Sequence, residues 1–309
     1  MTAQRFGKVA LLMGGTSAER EISLKSGAAV QAAMQKLGIN VVAIDAAENL
    51  IDQLRDGGFD RVFNMLHGRM GEDGVVQALL EFIGLPYTGS GVQASAIAMD
   101  KLKTKQVWQS LGLPTPAYAV ISNEDQLDDI INDLGLPLII KPVHEGSSIG
   151  MSKVDRAEDL PAAWQHAAKY DSTVIAEQWI TGEEYTAAIL DRETLPLIRL
   201  QPGNEFYDFH AKYVSDTTVY HCPCGLDQQE EQAIQALALT AFDGIGATGW
   251  GRVDFMRDEE GKAWLIELNT LPGMTDHSLV PMAAAAAGLS FEQLVERILE
   301  STLDSEGER

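Results

Sequence analysis

The strongest constraint on the fold is a regular alternation of short apolar runs and helical patterns in the first hundred residues. Three apolar runs are interpreted as strands, the first of them buried: residues 9–13, 41–44 and 62–66. Helical patterns at residues 23–37 and up to about residue 83 follow the first and the third run. This order predicts a parallel sheet with helices on both faces. Polar loops at residues 14–21 and 67–74 follow strands, so we expect them at the carboxyl edge, where such sheets bind ligands.

The rest of the chain has a different organisation. A linking helix is predicted near residues 101–111, followed by mixed strands and helices. These patterns divide the chain into three units: residues 1–100, 101–183 and 184–309. The last unit contains a long polar loop at residues 201–225, and loops of this length are often functional lids. The predicted fold class is α/β, with an α+β character overall.

The acidic composition excludes several classes of function. Asp and Glu number 45 against 23 Lys and Arg, a net charge of -22, so we expect no nucleic-acid or anionic-lipid partner. No apolar stretch approaches the roughly 18 residues of a membrane helix. Cys222 and Cys224 lie too close together to staple a fold, which favours packing thiols and a cytoplasmic location.

A predicted hairpin at residues 250–269 has the composition of a metal site. With a two-residue turn at Glu260-Gly261, Asp254 faces Glu267 and Arg252 faces Asn269, all on one face. The other face then carries the core side chains Val253, Phe255, Ile266 and Leu268. Two carboxylates and an amide suit Mg²⁺, although an exposed salt-bridged face is the common alternative. The prediction depends on the turn, because a slip of one residue would separate the pairs.

Two further segments are candidates for nucleotide binding. Lys141 ends a strand before a loop that contains Gly146, Ser147 and Ser148; backbone N–H groups and hydroxyls in such a loop can cradle phosphates. A flexible surface turn is the alternative. Acidic and apolar residues between Glu177 and Glu184 could bind an adenosine, although strands often end in polar residues.

Taken together, these segments resemble the D-alanine–D-alanine ligases of the ATP-grasp superfamily. The match covers residues 8–299 and rests on these ordered motifs: GGTSAERE (14–21), HGR (67–69), GEDG (71–74), YTGSG (87–91), MDK (99–101), KP (141–142), EGSS (145–148), AKY (211–213), GWGRVD (249–254), ELNT (267–270), PGMT (272–275) and HS (277–278). The resemblance implies an ATP-grasp fold with an N-terminal Rossmann-like domain, a central lid domain and a C-terminal domain. It also implies ATP-driven joining of two D-alanines through a D-alanyl phosphate, for peptidoglycan synthesis.

The resemblance also implies roles for individual residues. Glu19 would hold the first D-alanine ammonium, in a network with Ser147 and Tyr213, and His67 would lie near this substrate. ATP would be bound by Lys101, Lys141 and Lys212 at the phosphates and by Glu177, Trp179, Ile180 and Glu184 at the adenosine. Two Mg²⁺ or Mn²⁺ ions would be held by Asp254, Glu267 and Asn269. The oxyanion and the second D-alanine carboxylate would be bound by Arg252, the Gly273 N–H, Ser278 and the Leu279 backbone.

Two rival functions share these features. A D-alanine–D-lactate ligase would use the same first half-reaction, and Tyr213 argues for the dipeptide enzyme. A non-catalytic ATP-binding protein would keep the fold, and the intact acidic and basic set argues against it. The resemblance further suggests a homodimer that forms through the N-terminal domain.

Overall fold

The strands of the protein form three separate sheets. The structure, a computed structural model, describes residues 3–146, 148–201 and 218–304. The sheets lie within residues 8–64, 118–178 and 182–269 in turn. The domain limits at residues 100 and 183 stay predictions.

The first sheet is the predicted parallel sheet. Its strands are β1 (Lys8–Met13), β2 (Asn40–Asp45) and β3 (Arg61–Asn64), in the order β2-β1-β3. The helices of this unit are α1 (Arg20–Lys36), α2 (Leu50–Asp56), α3 (Val75–Ile83) and α4 (Val92–Met99). Successive side chains of β1 enter two cores, Val9 and Leu11 on one face and Ala10 and Leu12 on the other. Burial of β1 on both faces is why it reads as an unbroken apolar run, whereas the edge strand β2 is partly exposed.

The second sheet is antiparallel and has one apolar and one mixed face. The elements of this unit are α5 (Lys101–Ser110), β4 (Tyr118–Ile121), α6 (Leu127–Leu134), β5 (Leu138–Pro142), β6 (Ser152–Val154), α7 (Leu160–Ala167) and β7 (Val174–Gln178), with strand order β4-β7-β5-β6. Ile140 and Val154 pack with residues of α6 and α7 in one core. On the opposite face, Ile139 pairs in register with both Lys153 and Glu177, which makes a cross-strand row of polar and apolar side chains.

The third sheet packs against the first sheet and against α5. The elements of this unit are β8 (Gly182–Leu190), β9 (Glu193–Thr194), β10 (Ile198–Gln201), β11 (Val219–His221), α8 (Gln228–Gly244), β12 (Trp250–Asp258), β13 (Ala263–Asn269), α9 (Leu279–Ala286) and α10 (Phe291–Asp304). The strand order is β11-β10-β8-β12-β13, with β9 beside β8. One core joins Trp250 to Met34 of α1 and Ile298 of α10; another joins Val253 to Trp108 of α5. The sheet is therefore buried on both faces and fixes α1 and α5 around it.

The expectation that the cysteines are packing thiols is confirmed, since Cys222 packs against the core that contains Trp250 and Cys224 lies in a second core. Both cysteines are free thiols, and Cys224 is buried in the core that contains Trp108. Among the described residues, no helix combines the length and apolar character that crossing a membrane requires.

Candidate active site

Two cavities meet between the three sheets. The larger, of about 1000 Å³, lies at the carboxyl edge of the first sheet, between α1, the loop after β3 and the end of β13. The smaller, of about 490 Å³, lies between the second and third sheets. Lys101 and Glu267 line both cavities, and the Lys101 ammonium lies 3.8 Å from the Glu267 carboxylate. A ligand in either cavity can therefore reach the same two side chains.

Most of the site residues predicted from the sequence line these cavities. The larger cavity is lined by Glu19, His67, Arg252, Glu267, Asn269, Gly273, Ser278 and Leu279. The smaller is lined by Lys101, Lys141, Glu177, Trp179, Ile180, Glu184 and Asp254. The predicted residues Ser147, Lys212 and Tyr213, with most of the 201–225 loop, lie outside the described residues.

The hairpin of β12 and β13 has the predicted pairs at the site but a different turn. The Asp258 N–H donates to the Lys262 carbonyl at 3.0 Å, so residues 259–261 form the tip and the predicted two-residue turn is wrong. From the tip to the Phe255–Leu265 pair, the strand register therefore differs by one residue from the predicted register. A register shift between Asp254 and Phe255 then restores the predicted pairs.

The bulge changes which side chain enters the core. It adds Ile266 to β13 as an extra residue, and a bulged residue leaves the regular alternation of faces. Ile266 lines the smaller cavity, while Leu265 is fully buried in the core. The prediction that Ile266 packs in the core was therefore wrong, whereas the same prediction for Val253, Phe255 and Leu268 is confirmed.

Asp254 is the most densely hydrogen-bonded carboxylate of the hairpin. It is 7% exposed and accepts from Thr186 Oγ1 at 2.6 Å and from Asn269 Nδ2 at 3.1 Å. The guanidinium of Arg252 donates to both its oxygens, at 2.8 and 2.7 Å. A bidentate pair of this kind fixes the plane of the guanidinium. Arg252, Asp254 and Asn269 therefore act as one rigid group beside Glu267.

Glu19 lies between backbone segments of two different units. It immediately precedes α1. A Cβ atom on Gly68, from the loop after β3, would lie 2.8 Å from a Glu19 carboxylate oxygen. A Cβ on Gly146, from the loop after β5, would lie 3.2 Å from both oxygens. The absence of side chains at Gly68 and Gly146 leaves room for this carboxylate on both sides.

The loop before Glu19 is held by polar contacts that explain its composition. Ser23 of α1 accepts the Gly14 N–H at 2.8 Å and donates to the Met65 carbonyl at 2.6 Å, so it ties α1 to the ends of β1 and β3. Arg20 forms a bidentate pair with Asp45 at the end of β2. Ser17 donates to the His67 carbonyl at 2.6 Å. The two polar loops thus meet at the carboxyl edge, as predicted.

His67 and Glu72 place two titratable groups beside Glu19. His67 is 6% exposed, and burial lowers the pKa of its ring despite the nearby charge of Glu19. Glu72 accepts the Gly68 N–H at 2.6 Å. Burial and the negative charge of Glu19 raise the pKa of Glu72 well above its ordinary value. Glu72 belongs to the GEDG motif but was not predicted as a site residue.

Ser26 connects the two sides of the larger cavity. It is fully buried on α1, and its hydroxyl accepts the Met274 N–H at 3.1 Å and lies 3.4 Å from His67 Nε2. It therefore holds the backbone next to Gly273 and the His67 ring in one arrangement. The sequence offered no indication of this, because a serine within a helix reads as a neutral position.

Ser278 precedes the first turn of α9, where backbone N–H groups favour an anion. Its hydroxyl accepts the Thr275 N–H at 2.9 Å and lies 2.9 Å from the Thr275 hydroxyl. A Cβ on Gly273 would lie 2.9 Å from the Ser278 hydroxyl. The turn is thus closed by a side-chain pair, and Thr275 is a third residue, after Glu72 and Ser26, that was not predicted from the sequence.

In the smaller cavity, the Glu177 carboxylate is bound by two lysines. One oxygen accepts from Lys141 at 2.7 Å, and the other lies 2.8 Å from the Lys105 ammonium. Although burial raises it, the two ammonium groups bring the pKa of the Glu177 carboxyl below its ordinary value. Glu177 is on the wall of the predicted adenosine pocket, and its side chain is occupied by charge pairing. Lys105 was not predicted as a site residue.

The rest of this cavity wall is an aromatic surface with a cation. The Lys153 ammonium lies 5.0 Å from the centre of the Trp179 ring and 3.0 Å from Asp155. Lys153, Trp179 and Ile180 line the cavity together with Glu184. A flat aromatic and apolar wall near lysines is suited to a nucleobase with its phosphates.

Comparisons with known proteins agree with this geometry. The family model "D-ala D-ala ligase N-terminus" matches residues 45–90, and "D-ala D-ala ligase C-terminus" matches residues 107–300. A D-alanine–D-alanine ligase of Pseudomonas putida (strain GB-1) is 57% identical over 307 residues, 99% of this chain and 96% of the relative. The solved D-alanine–D-alanine ligase of Bacillus anthracis is 33% identical with a TM-score of 0.86, over 97% of this chain and 99% of that one. A structure of the Bacillus anthracis ligase complexed with ATP is 31% identical with a TM-score of 0.84, over the same shares. The chain therefore belongs to the D-alanine–D-alanine ligase family.

Proposed function

We propose that this chain joins two D-alanines to D-alanyl-D-alanine, converts ATP to ADP and phosphate, and supplies the dipeptide for peptidoglycan. One observation carries the proposal: a cavity suited to zwitterions and a cavity suited to a nucleotide share Lys101 and Glu267. A phosphoryl group passing between the two ligands has to cross at this shared wall. Family membership and the fold give independent support.

In the first half-reaction, the carboxylate of the first D-alanine attacks the γ-phosphate of ATP. This step gives D-alanyl phosphate and ADP, and it converts a poor electrophile into one with a leaving group. Glu19, held between Gly68 and Gly146, binds the ammonium of the D-alanine. His67 lies next to this position with its pKa lowered by burial, which favours an uncharged ring beside the substrate.

In the second half-reaction, the amine of the second D-alanine attacks the acyl carbonyl, and phosphate leaves through a tetrahedral intermediate. Arg252 and the Gly273 N–H stabilise the oxyanion of this intermediate. The Ser278 hydroxyl and the Leu279 N–H, at the start of α9, bind the carboxylate of the second substrate. Both groups line the larger cavity together with Glu19, so both amino acids fit in one space.

ATP occupies the smaller cavity. Lys101 and Lys141, with Lys212 of the 201–225 loop, bind its phosphates, and the wall formed by Glu177, Trp179, Ile180 and Glu184 holds the adenosine. The loop, with Ser147 and Tyr213, completes the Glu19 network and excludes water from the acyl phosphate. These loop assignments rest on the family resemblance alone.

The hairpin residues have the chemistry of a divalent-cation site. Asp254 and Glu267 face each other across β12 and β13, and the Asn269 amide lies against Asp254; two carboxylates and an amide oxygen suit Mg²⁺ or Mn²⁺. Within the described residues, no three His, Cys, Asp or Glu side chains converge on a metal position, so Asn269 and phosphate oxygens have to complete the set. Two such ions would neutralise charge on the phosphates.

A phosphate-release assay with product identification tests the activity. D-Alanine alone should release phosphate and give the dipeptide, whereas D-lactate with D-alanine should add little ester and L-alanine should be inert. Preferential formation of the ester at neutral pH would assign the chain to the D-lactate-using class. ADP release no higher than background would favour a non-catalytic ATP-binding protein.

The same proposal includes a cytoplasmic homodimer with α3 in its interface. Phe82 is 90% exposed and Val75 is 47% exposed on this helix, with the exposed Ala78 between them. These positions are spaced at about one helical turn, so they form a stripe on one side of α3. An aromatic side chain this exposed costs solvation free energy unless a partner covers it. A second copy of the chain, with the same apolar stripe, is the matching partner.

A further inference from the structure

A buried lysine lies directly behind the wall of the proposed nucleotide cavity. Lys105 is 1% exposed, and its ammonium lies 2.8 Å from Glu177. It also donates to Thr115 Oγ1 at 2.6 Å and to the Pro116 carbonyl at 3.2 Å. Glu177 accepts from Lys141 at 2.7 Å on its other oxygen. Lys105, Glu177 and Lys141 thus form a continuous charged row, and its last two members line the cavity.

The charges of the cavity wall make this row significant. Among the described residues, the wall carries three lysines and five carboxylates, a net charge of -2: Lys101, Lys141, Lys153, Glu177, Glu183, Glu184, Asp254 and Glu267. Even with Asp254 and Glu267 assigned to divalent cations, the three lysines face three other carboxylates, so these side chains alone give a polyphosphate no excess of positive charge. The Glu177 carboxylate is only 1% exposed, so solvent and salt screen it poorly. Paired with Lys141 alone, it would cancel the charge of that lysine.

We propose that Lys105 is a positioning residue for nucleotide binding: its charge balances Glu177, so that Lys141 keeps a net positive charge for the phosphates of ATP. The row then carries two cations and one anion. This inference rests on the proposed function, because it assumes that the smaller cavity takes a nucleoside polyphosphate.

The surroundings of Lys105 hold its ammonium in one place. Its hydrogen-bond partner Thr115 donates to the Leu265 carbonyl of β13 at 2.9 Å, so the Thr115 oxygen presents a lone pair to the ammonium. The ammonium donates hydrogen bonds to Thr115 and Pro116, which hold it 2.8 Å from Glu177 as an ion pair. A buried ion pair seldom adds stability over a well-packed apolar pair. Stabilisation of the fold therefore does not account for the buried Lys105, whereas a fixed positive charge next to Lys141 favours binding of phosphates.

The experiment compares nucleotide binding in the wild type, in three variants of the charged row and in one control variant. Lys105→Met lowers the row to zero, Glu177→Gln raises it to +2, and the double variant restores the wild-type value of +1. Lys103→Met is the matched control, since Lys103 is an exposed residue of the same helix and the substitution changes the total charge equally. Calorimetry gives the Kd for ADP with Mg²⁺ and for adenosine, and thermal unfolding checks that each variant is folded.

We expect Lys105→Met to weaken ADP binding roughly tenfold, as loss of a nearby unit charge in a medium of intermediate dielectric implies. Adenosine should bind wild type, Lys105→Met and Lys103→Met nearly equally, because it carries no phosphate. Glu177 lines the proposed adenosine wall, so its two variants are judged by their affinity for ADP relative to their affinity for adenosine. The double variant should recover most of the ADP affinity, which a packing role for Lys105 would not allow. ADP binding by Lys105→Met equal to that of Lys103→Met, or a double variant as weak as Lys105→Met, would overturn the inference.

A second comparison keeps the test decisive if Lys105→Met does not fold. In Lys105→Met the buried Glu177 carboxylate loses one of its two lysines, which could prevent folding. Glu177→Gln and the double variant have no carboxylate at position 177, and they differ only in the side chain at position 105. Glu177→Gln should bind ADP roughly tenfold more tightly than the double variant; equal affinities would refute the role of Lys105. A wild-type chain that bound no ADP would instead refute the proposed function, a result separate from any difference between variants.

Discussion

Replacing Ser26 by alanine tests whether a buried hydroxyl positions the proposed oxyanion donor. The Ser26 hydroxyl accepts the Met274 N–H at 3.1 Å in a fully buried position. Its removal leaves that N–H without its partner, which costs about 1–3 kcal/mol. The backbone can relieve part of this cost by moving, and Gly273 is the adjacent residue. Loss of a whole oxyanion donor costs about 100- to 1000-fold in kcat, so partial displacement should cost roughly 10- to 100-fold.

The effect should fall on the second half-reaction. We expect kcat for dipeptide formation to drop more than the KM for the first D-alanine rises, because Ser26 accepts the Met274 N–H directly and is linked to the first substrate site through the His67 ring. Positional isotope exchange in bridge-labelled ATP, which reports formation of the acyl phosphate, should continue near the wild-type rate. Ser95→Ala is the control, since Ser95 is also a fully buried helical serine and donates only to the Ser90 carbonyl. A kcat for Ser26→Ala equal to that for Ser95→Ala would refute the reasoning.

Four further outcomes follow from the site and the surface. Gly146→Ala should raise the KM for the first D-alanine roughly tenfold, because its Cβ would lie 3.2 Å from the Glu19 carboxylate; an unchanged KM in steady-state kinetics would contradict this contact. Glu267→Ala should abolish turnover and remove the Mg²⁺ dependence of ADP affinity, and retention of that dependence would exclude it as a ligand. The raised pKa of Glu72 means that the folded chain keeps a proton on this carboxyl above the ordinary glutamate pKa, so wild-type stability falls as pH rises above that range. Glu72→Gln should therefore gain Tm relative to wild type as pH rises above the ordinary glutamate pKa, and a difference in Tm that is constant with pH would contradict the shift. Phe82→Glu should convert the dimer to monomer in sedimentation equilibrium, and an unchanged mass would place the interface elsewhere.

The parts of the fold that repeat a simple period were predictable. The unbroken apolar run at residues 9–13 predicted a strand buried on both faces, and the structure has Val9 and Ala10 in different cores. Asp254 and Glu267 were predicted to face each other, and they do. A strand pattern of period two predicts the pairing because a shift of one residue would move the buried side chains to the exposed face.

The hairpin shows why a correct pairing can rest on a wrong turn. Leu265 and Ile266 are both apolar and β-compatible, so the sequence contains nothing that distinguishes the bulged residue from the core residue. The longer tip and the added residue shift the register in opposite directions and cancel at Asp254. Only the packed sheet determines where the extra residue lies.

Residues that act through buried polar contacts were not predictable from the sequence. Lys105 sits in a helix with neighbours such as Lys103, and both read as ordinary surface lysines. Its burial depends on Thr115 and Glu177, which lie 10 and 72 residues further along the chain. Ser26 likewise acquires its role from Met274, which reaches it only because α1 packs against the third unit.

The contact of Glu19 with two glycines has a consequence for the shape of the substrate site. Gly68 belongs to the first unit and Gly146 to the second, and each approaches the same carboxylate with a hydrogen where other residues have a methylene. Because glycine has no side chain, the two segments can lie close to each other on either side of Glu19. Binding of the ammonium of a small amino acid by Glu19 therefore depends on the space that the two glycines leave around the carboxylate, as well as on its charge.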